Sequence, residues 1–432
     1  MTVIPAIPGW RRRLSVSLLV MAGCISYIDR AALSIGNTAI MSSMHMSYTG
    51  MGWLLSVFAW AYLVSQIPAG LLADRLGGRM LLGAGLCLWS CAQIGFGLMP
   101  GVAGLFVCRI LLGMGESPLF LAGTRVLVRW FPPEERGTVI GLFNGSAALG
   151  PALAPPLLLA IMAFQGWRGM SVSIGILSLL LGLVWVLYYR DPTRTASAPS
   201  PPPSILRDDL GYLLRQRSSW IVTAGFAGII YLTWLYATWL PAWLQSAYHL
   251  TATQAGLLSA LPQICGFAGN LTGGVLSDRL MARGMGRLDA CRRPLVISMV
   301  VAAVMTGLTA LDTGLSISMV FMAAALFAGG VAMSAGWTLG TVIAAEHRVA
   351  TLEAIQNTGG SLGGALAPVM TGIMVDHFGS FAPSMLVACG VGLTCAAIYQ
   401  FGLRETDASD RHAPFSVSPF SLPDPANQGT IK

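Results

Sequence analysis

A chain of 432 residues that is 55% hydrophobic and only 10% charged, with a mean hydropathy of +0.69, is no ordinary soluble domain; such domains carry about 25% charged residues. The net charge of +7 comes almost wholly from arginine, Lys432 being the one lysine. These arginines gather at the ends of apolar runs rather than in a patch, which argues against nucleic acid as a partner. The eight cysteines lie mostly inside apolar runs and show neither metal spacing nor a disulfide framework, so no metal and no cofactor is expected.

In chain order, apolar runs of about 20 residues fall at 14–36, 51–73, 80–99, 102–130, 137–163, 170–189, 219–245, 254–277, 294–312, 315–344, 352–375 and 382–403. In lipid only helices satisfy every backbone polar group within one segment. The pattern therefore predicts an all-α polytopic membrane protein with twelve transmembrane helices. The opening residues lack a small-residue cleavage site, so the first helix is expected to stay. Arg11, Arg12 and Arg13 precede the first run, Arg75 and Arg79 follow the second, and Arg129 and Arg136 flank the loop after the fourth. Arg190 to Arg217 punctuate the middle loop, and Arg279 to Arg293 follow the eighth run. The alternate loops are almost free of base, Arg168 excepted, which puts both termini in the cytoplasm.

The organisation follows. Residues 1–13 form a cytoplasmic N-terminus, 14–190 a first six-helix bundle, and 191–218 a hydrophilic cytoplasmic linker containing SAPSPPPS. Residues 219–403 form the second bundle and 404–432 a polar tail expected to be disordered. An internal repeat supports the division. GLLADRLGGR (Gly70 to Arg79) matches GVLSDRLMAR (Gly274 to Arg283), and NGSAALGPALAP (Asn144 to Pro155) matches NTGGSLGGALAP (Asn357 to Pro368). Duplicated halves around a central cavity are the build of alternating-access transporters.

The stretch RILLGMGESP, Arg109 to Pro118, places two charges well inside an apolar run. A charge at mid-bilayer costs roughly 2.5–3.5 kcal/mol on insertion scales. Arg109 and Glu116 lie seven residues apart, so they share a helix face about 10 Å apart in depth. That spacing suits an anion site stacked on a proton site; the alternative is an ion pair that only stitches helices. Asp29 and Arg30 lie deep in the first run and point about 100° apart, so one can face a cavity and the other a neighbouring helix. Arginine suits a carboxylate ligand because its planar fork binds bidentately and keeps its proton. An anion that captures the arginine leaves the carboxylate to take up a proton. Asp74, Arg75 and Arg79, with Asp278 and Arg279, sit at the two repeated helix-to-loop junctions and are candidate gating residues. No nucleophile–base set, phosphate loop or metal spacing points to an enzyme.

GLLADRLGGR resembles the loop motif between helices two and three of the major facilitator superfamily, over about residues 14–404. More specifically, YIDRAALS (Tyr27 to Ser34), RILLGMGESPLFLAGTRVLVRWFPPEERG and FNGSAALGPALAPPLL resemble the anion:cation symporter family. That family includes galactonate, hexuronate, tartrate and aromatic-acid permeases. The resemblance implies the major facilitator fold in a bacterial inner membrane and proton-coupled uptake of an organic acid by a monomer. Asp29 and Glu116 match its proton-linked carboxylates. Arg30 and Arg109, with Tyr27, Tyr62, Ser334, Trp337 and Asn357, match its substrate-binding positions. A uniporter, exchanger or exporter on the same fold, or a transporter-like nutrient sensor, are the alternatives. Ala147 and Gly336 stand where the sugar-acid carriers carry an amide and a hydroxyl, and helix seven is rich in rings (Tyr231, Trp234, Tyr236, Trp239, Trp243). These departures leave room for an aromatic or short carboxylic acid.

Overall fold

The computed structural model describes residues 9–131, 133–191, 210–311, 313–344 and 348–404. Most of the expected linker, the tail beyond residue 404, and the side chains of Asp74 and Arg75 lie outside the described residues. The helices are α1 (Gly9–Ile35), α2 (Asn37–Met44), α3 (Tyr48–Leu98), α4 (Val102–Glu116), α5 (Pro118–Trp130) and α6 (Pro133–Tyr188) in the first half. The second half carries α7 (Arg217–Tyr248), α8 (Ala252–Ala282), α9 (Arg287–Leu308), α10 (Leu315–Ile343), α11 (Val349–Phe378) and α12 (Ala382–Gly402). Among the described residues there is no strand, and nine stretches are long and apolar enough to cross a membrane.

Two of these helices fold back on themselves. Phe58 and Trp89 of α3 both pack on α4, at Gly113 and Gly115, yet in a straight helix they would stand about 46 Å apart. The chain turns at Gly77, whose φ of 78° is open to glycine at little cost. In α6, Gly150 packs on Cys24 and Tyr27 while Ser178 lies beside Asp29; the turn is at Gly166, with φ 65°. The expected breaks between the second and third and between the fifth and sixth spans thus fall at these two glycines.

Other boundaries differ from the sequence reading for local reasons. The first span, expected at 14–36, starts earlier and is followed by the short α2, which ends at His45 in the left-handed region. The fourth span, expected unbroken at 102–130, divides at Ser117. Pro118 has no N–H for the carbonyl of Met114, and the Ser117 hydroxyl donates to that carbonyl instead, at 3.0 Å. The division falls one residue after Glu116.

Three apolar cores set the architecture. One belongs to the first half and is built around Leu19, Trp89, Phe143 and Trp185. Another belongs to the second half, around Phe226, Cys291, Leu339 and Tyr399. The third is shared: Leu33, Met51 and Leu54 pack in one cluster with Tyr236, Trp239 and Phe381. The shared core lies at the end of the molecule far from Gly9 and Leu403, here called the far end; the opposite end is the base.

The polar contacts between the halves gather at the far end too. Ser34 Oγ donates to the Thr238 carbonyl at 3.0 Å and Thr38 Oγ1 to Gln245 at 2.9 Å. Ser56 Oγ donates to the Ala365 carbonyl at 2.5 Å. Asp376, near the end of α11, accepts from the Tyr48 and Thr49 amides at 3.0 and 2.7 Å. These amides belong to the first turn of α3, where a carboxylate is favoured both as a cap and by the helix dipole. A Cβ on Gly52 would meet the Pro368 carbonyl oxygen at 2.5 Å, so the two backbones touch there.

Asp376→Ala uncaps α3 from across the interface and is expected to weaken the far-end seal by about 1 kcal/mol, roughly a fivefold shift toward opening. A cysteine placed at Thr38 in detergent-solubilised protein should then react with a bulky maleimide about fivefold faster than the same reporter alone. An unchanged rate would show that Asp376 does not hold the seal.

Candidate functional site

The buried charges of the first half converge from three helices. Ser26 and Arg30 lie four residues apart on α1, and Phe58 and Tyr62 four apart on α3, so each pair shares a face. Gly113 lets α4 come against the α3 backbone: a Cβ there would stand 2.6 Å from the Phe58 carbonyl oxygen. The Arg109–Glu116 face of α4 is thereby delivered beside Arg30.

Glu116 pairs with Arg30, not with Arg109. The Arg30 Nε donates to Glu116 Oε2 at 2.9 Å, and Nη2 lies 2.8 Å from the same oxygen. Ser26 Oγ donates to it as well, at 2.6 Å. The other oxygen, Oε1, has no hydrogen-bond partner among the described residues. Glu116 is fully buried, whereas the Arg30 side chain keeps 18% of its surface open. Around the Arg30 guanidinium stand the rings of Tyr27, Phe58 and Tyr62, with centroids at 4.8, 5.0 and 5.2 Å. Rings at such distances attract a cation by their quadrupole, more strongly when water is excluded.

Arg109 also reaches this cage. Its guanidinium carbon is 5.1 Å from the Phe58 centroid, so both arginines share that ring. Arg109 is only 3% exposed and its Nε has no hydrogen-bond partner among the described residues. In this state Arg109 is therefore closed to a substrate, whereas Arg30 keeps an open side. Asp29 is fully buried, with Arg109 and Ser178 beside it and no hydrogen bond to either carboxylate oxygen among the described residues.

The second half contributes neutral groups. Trp337 is 36% exposed and packs edge-on against Phe226 at 4.9 Å. Asn357 is half-buried, and its neighbour Gln356 donates to the Gly336 carbonyl at 3.1 Å. The Ser334 side chain, half-buried, lies against Gly273 and Gly274 of α8. Of the gating residues, Arg79 works within the first half, with Nε and Nη2 on the Val186 carbonyl at 2.9 and 2.6 Å. Asp278 and Arg279 are exposed at the end of α8. Ser26 and Phe58 were not singled out from the sequence, although their i, i+4 spacing to Arg30 and Tyr62 marks the face they share.

Removing one partner of a buried ion pair strands the other charge, at about 3–5 kcal/mol. Arg30→Gln is therefore expected to lower the thermal unfolding temperature of the purified protein in detergent. Adding Glu116→Gln should restore most of the loss, because the stranded carboxylate is gone. If the double variant melts no higher than Arg30→Gln alone, the pair is not what Arg30 stabilises.

The comparisons bear on the family and the fold. The family model described as Major Facilitator Superfamily matches residues 19–291. A probable L-galactonate transporter of Escherichia coli K12 is 34% identical over 400 residues, covering 90% of this chain and 88% of the relative. A hexuronate transporter of Bacillus subtilis is 28% identical, covering 88% and 91%. A probable galactarate/D-glucarate transporter of Escherichia coli K12 is 28% identical, covering 90% and 94%. Among solved structures, a bacterial homologue of the human lysosomal transporter Spinster, inward-facing and unoccupied, superposes with a TM-score of 0.79 at 18% identity, over 94% of this chain and 99% of that one. The shared fold, the duplicated halves and the match across most of the first half and beyond lead to one assignment: the chain belongs to the Major Facilitator Superfamily.

Proposed function

We propose that the protein imports an organic acid anion together with protons by alternating access, in an inner membrane with both termini in the cytoplasm. The observation that carries the reading is the Arg30–Glu116 pair: a fully buried carboxylate bound to an arginine that keeps an open side. An incoming carboxylate competes with Glu116 for Arg30. Once Arg30 is taken, Glu116 keeps only Ser26, and an unpaired carboxylate in a low-dielectric site is costly. Taking up a proton removes that cost. Anion and proton therefore favour one another at the same site, which is the linkage symport requires.

Asp29 supplies a second proton position, and Arg109 supplies a positive field. With both carboxylates ionised, the two arginines and two carboxylates cancel. Each proton added leaves one positive charge for a substrate anion to neutralise. A neutral loaded site lets the halves rock without exposing net charge to lipid. Trp337 and Asn357 supply an aromatic wall and an amide from the opposite half. The names of the relatives favour a sugar acid, whereas the ring-rich site also suits a smaller or flatter acid. The transport fold and the makeup of the site favour no enzymatic step.

Glu116→Gln is expected to keep substrate counterflow in proteoliposomes and to lose uptake driven by an imposed pH gradient. Persistent concentrative uptake in that variant would remove Glu116 as the coupling group. Wild-type uptake indifferent to the gradient would remove symport and favour a uniporter or exchanger. For Arg109→Lys, which keeps the charge but not the fork, binding of carboxylic acids measured by thermal shift is expected to fall at least tenfold. Unaltered affinity would exclude Arg109 from recognition.

A further inference from the structure

A second site lies away from the central charges, at the base of the first half. The start of α1, the end of α5 and the end of α6 border a small cleft open to the surface. Two arginines reach it, Arg11 from α1 and Arg190 from just beyond α6, and its walls include Leu14, Leu18, Trp130 and Tyr188. Neither arginine has a carboxylate within ion-pair distance among the described residues. The carboxylate next in sequence to Arg190 is already engaged: Asp191 accepts from the Gly78 and Arg79 amides, both at 3.1 Å, and stands 3.3 Å from the Tyr189 hydroxyl. Trp130 Nε1 donates to that hydroxyl at 3.0 Å, so the back wall is fixed by its own hydrogen bonds and leaves the arginines to an outside ligand.

We propose that this cleft binds the headgroup of an anionic phospholipid. The charge asks for an anion, and the walls ask for one with an apolar body. Leu14 and Leu18 run from the arginines along α1, and on α6 the exposed Leu187 and Tyr188 continue the apolar surface outward. A free phosphate would satisfy Arg11 and Arg190 but would leave the exposed Leu187 and Tyr188 without a partner. Tryptophan and tyrosine at this level are what a membrane interface favours, and basic pockets between membrane helices on the cytoplasmic side hold lipid headgroups elsewhere. A bound lipid would bridge the start of α1 to the end of α6, two helices that also meet at Asp29 and Ser178.

The test uses purified full-length protein stripped of lipid, titrated separately with short-chain phosphatidylglycerol, phosphatidylcholine and inorganic phosphate, with native mass spectrometry and thermal unfolding as readouts. Each arginine near a membrane surface favours an anionic lipid by about fivefold, so the pair predicts a preference for phosphatidylglycerol over phosphatidylcholine of roughly thirtyfold. Arg11→Gln with Arg190→Gln should bring the two lipids to near parity. Equal binding of the two lipids by the wild type would overturn the proposal, as would an undiminished preference in the double variant. Inorganic phosphate protecting as well as phosphatidylglycerol would overturn the lipid as its source. Should the double variant fail to fold, Arg190→Gln alone decides, with a loss of about fivefold expected and no loss overturning the site.

Discussion

An ion pair in hydrocarbon has no neutral option: each partner must be held by the other or be compensated by something else. The Arg30–Glu116 pair imposes that rule on its surroundings. Ser26 occupies the oxygen that Arg30 also uses, three rings stand around the guanidinium, and Gly113 brings α4 close enough for the carboxylate to reach α1. The arrangement is also unfinished. Glu116 Oε1 and both oxygens of Asp29 have no hydrogen-bond partner among the described residues. Buried polar atoms left in that state are costly in an inert core, and they mark the places where a proton or an anion has something to gain by arriving.

The distribution of cores explains why such a site can be reached. At the far end the two halves share one apolar cluster, and backbone touches backbone at Gly52 and Pro368. Toward the base each half keeps a core of its own. The far end can open without unfolding either of these, because the shared interface is separate from the interfaces that hold each bundle together. The seal itself is built from reversible parts, hydroxyl-to-carbonyl bonds and a carboxylate capping a helix of the other half.

Much of this was legible in the sequence, for a physical reason. Lipid demands long apolar helices, so hydropathy alone predicts the spans, and the high cost of intramembrane charge makes Asp29, Arg30, Arg109 and Glu116 conspicuous. In three dimensions Glu116 pairs with Arg30 of the first helix and not with Arg109, two turns away on its own helix. What the sequence could not show was the order of burial. Seven-residue spacing puts Arg109 and Glu116 on one face but does not say that Arg109 is buried deeper than Arg30, or that both share the Phe58 ring. The contact that Ser334 makes with Gly273 and Gly274 was equally out of reach, because a small hydroxyl residue on a Gly-rich helix serves a helix contact as readily as a cavity. The division at Ser117 was visible only in part, since Pro118 announces a weakened helix but not which side chain repairs it.

The asymmetry between the halves carries the argument furthest. The four ionisable groups proposed for the site stand in the first half, on α1 and α4, while Trp337 and Asn357 of the second half do not titrate. If protonation and anion capture occur within one rigid bundle, their linkage does not depend on whether the halves are open or closed, and it survives the whole rocking cycle. The neutral half can then approach or withdraw according to shape and hydrogen bonding alone. Under that division of labour, changes in the second half alter which acid is accepted, and changes in the first alter whether a proton must come with it.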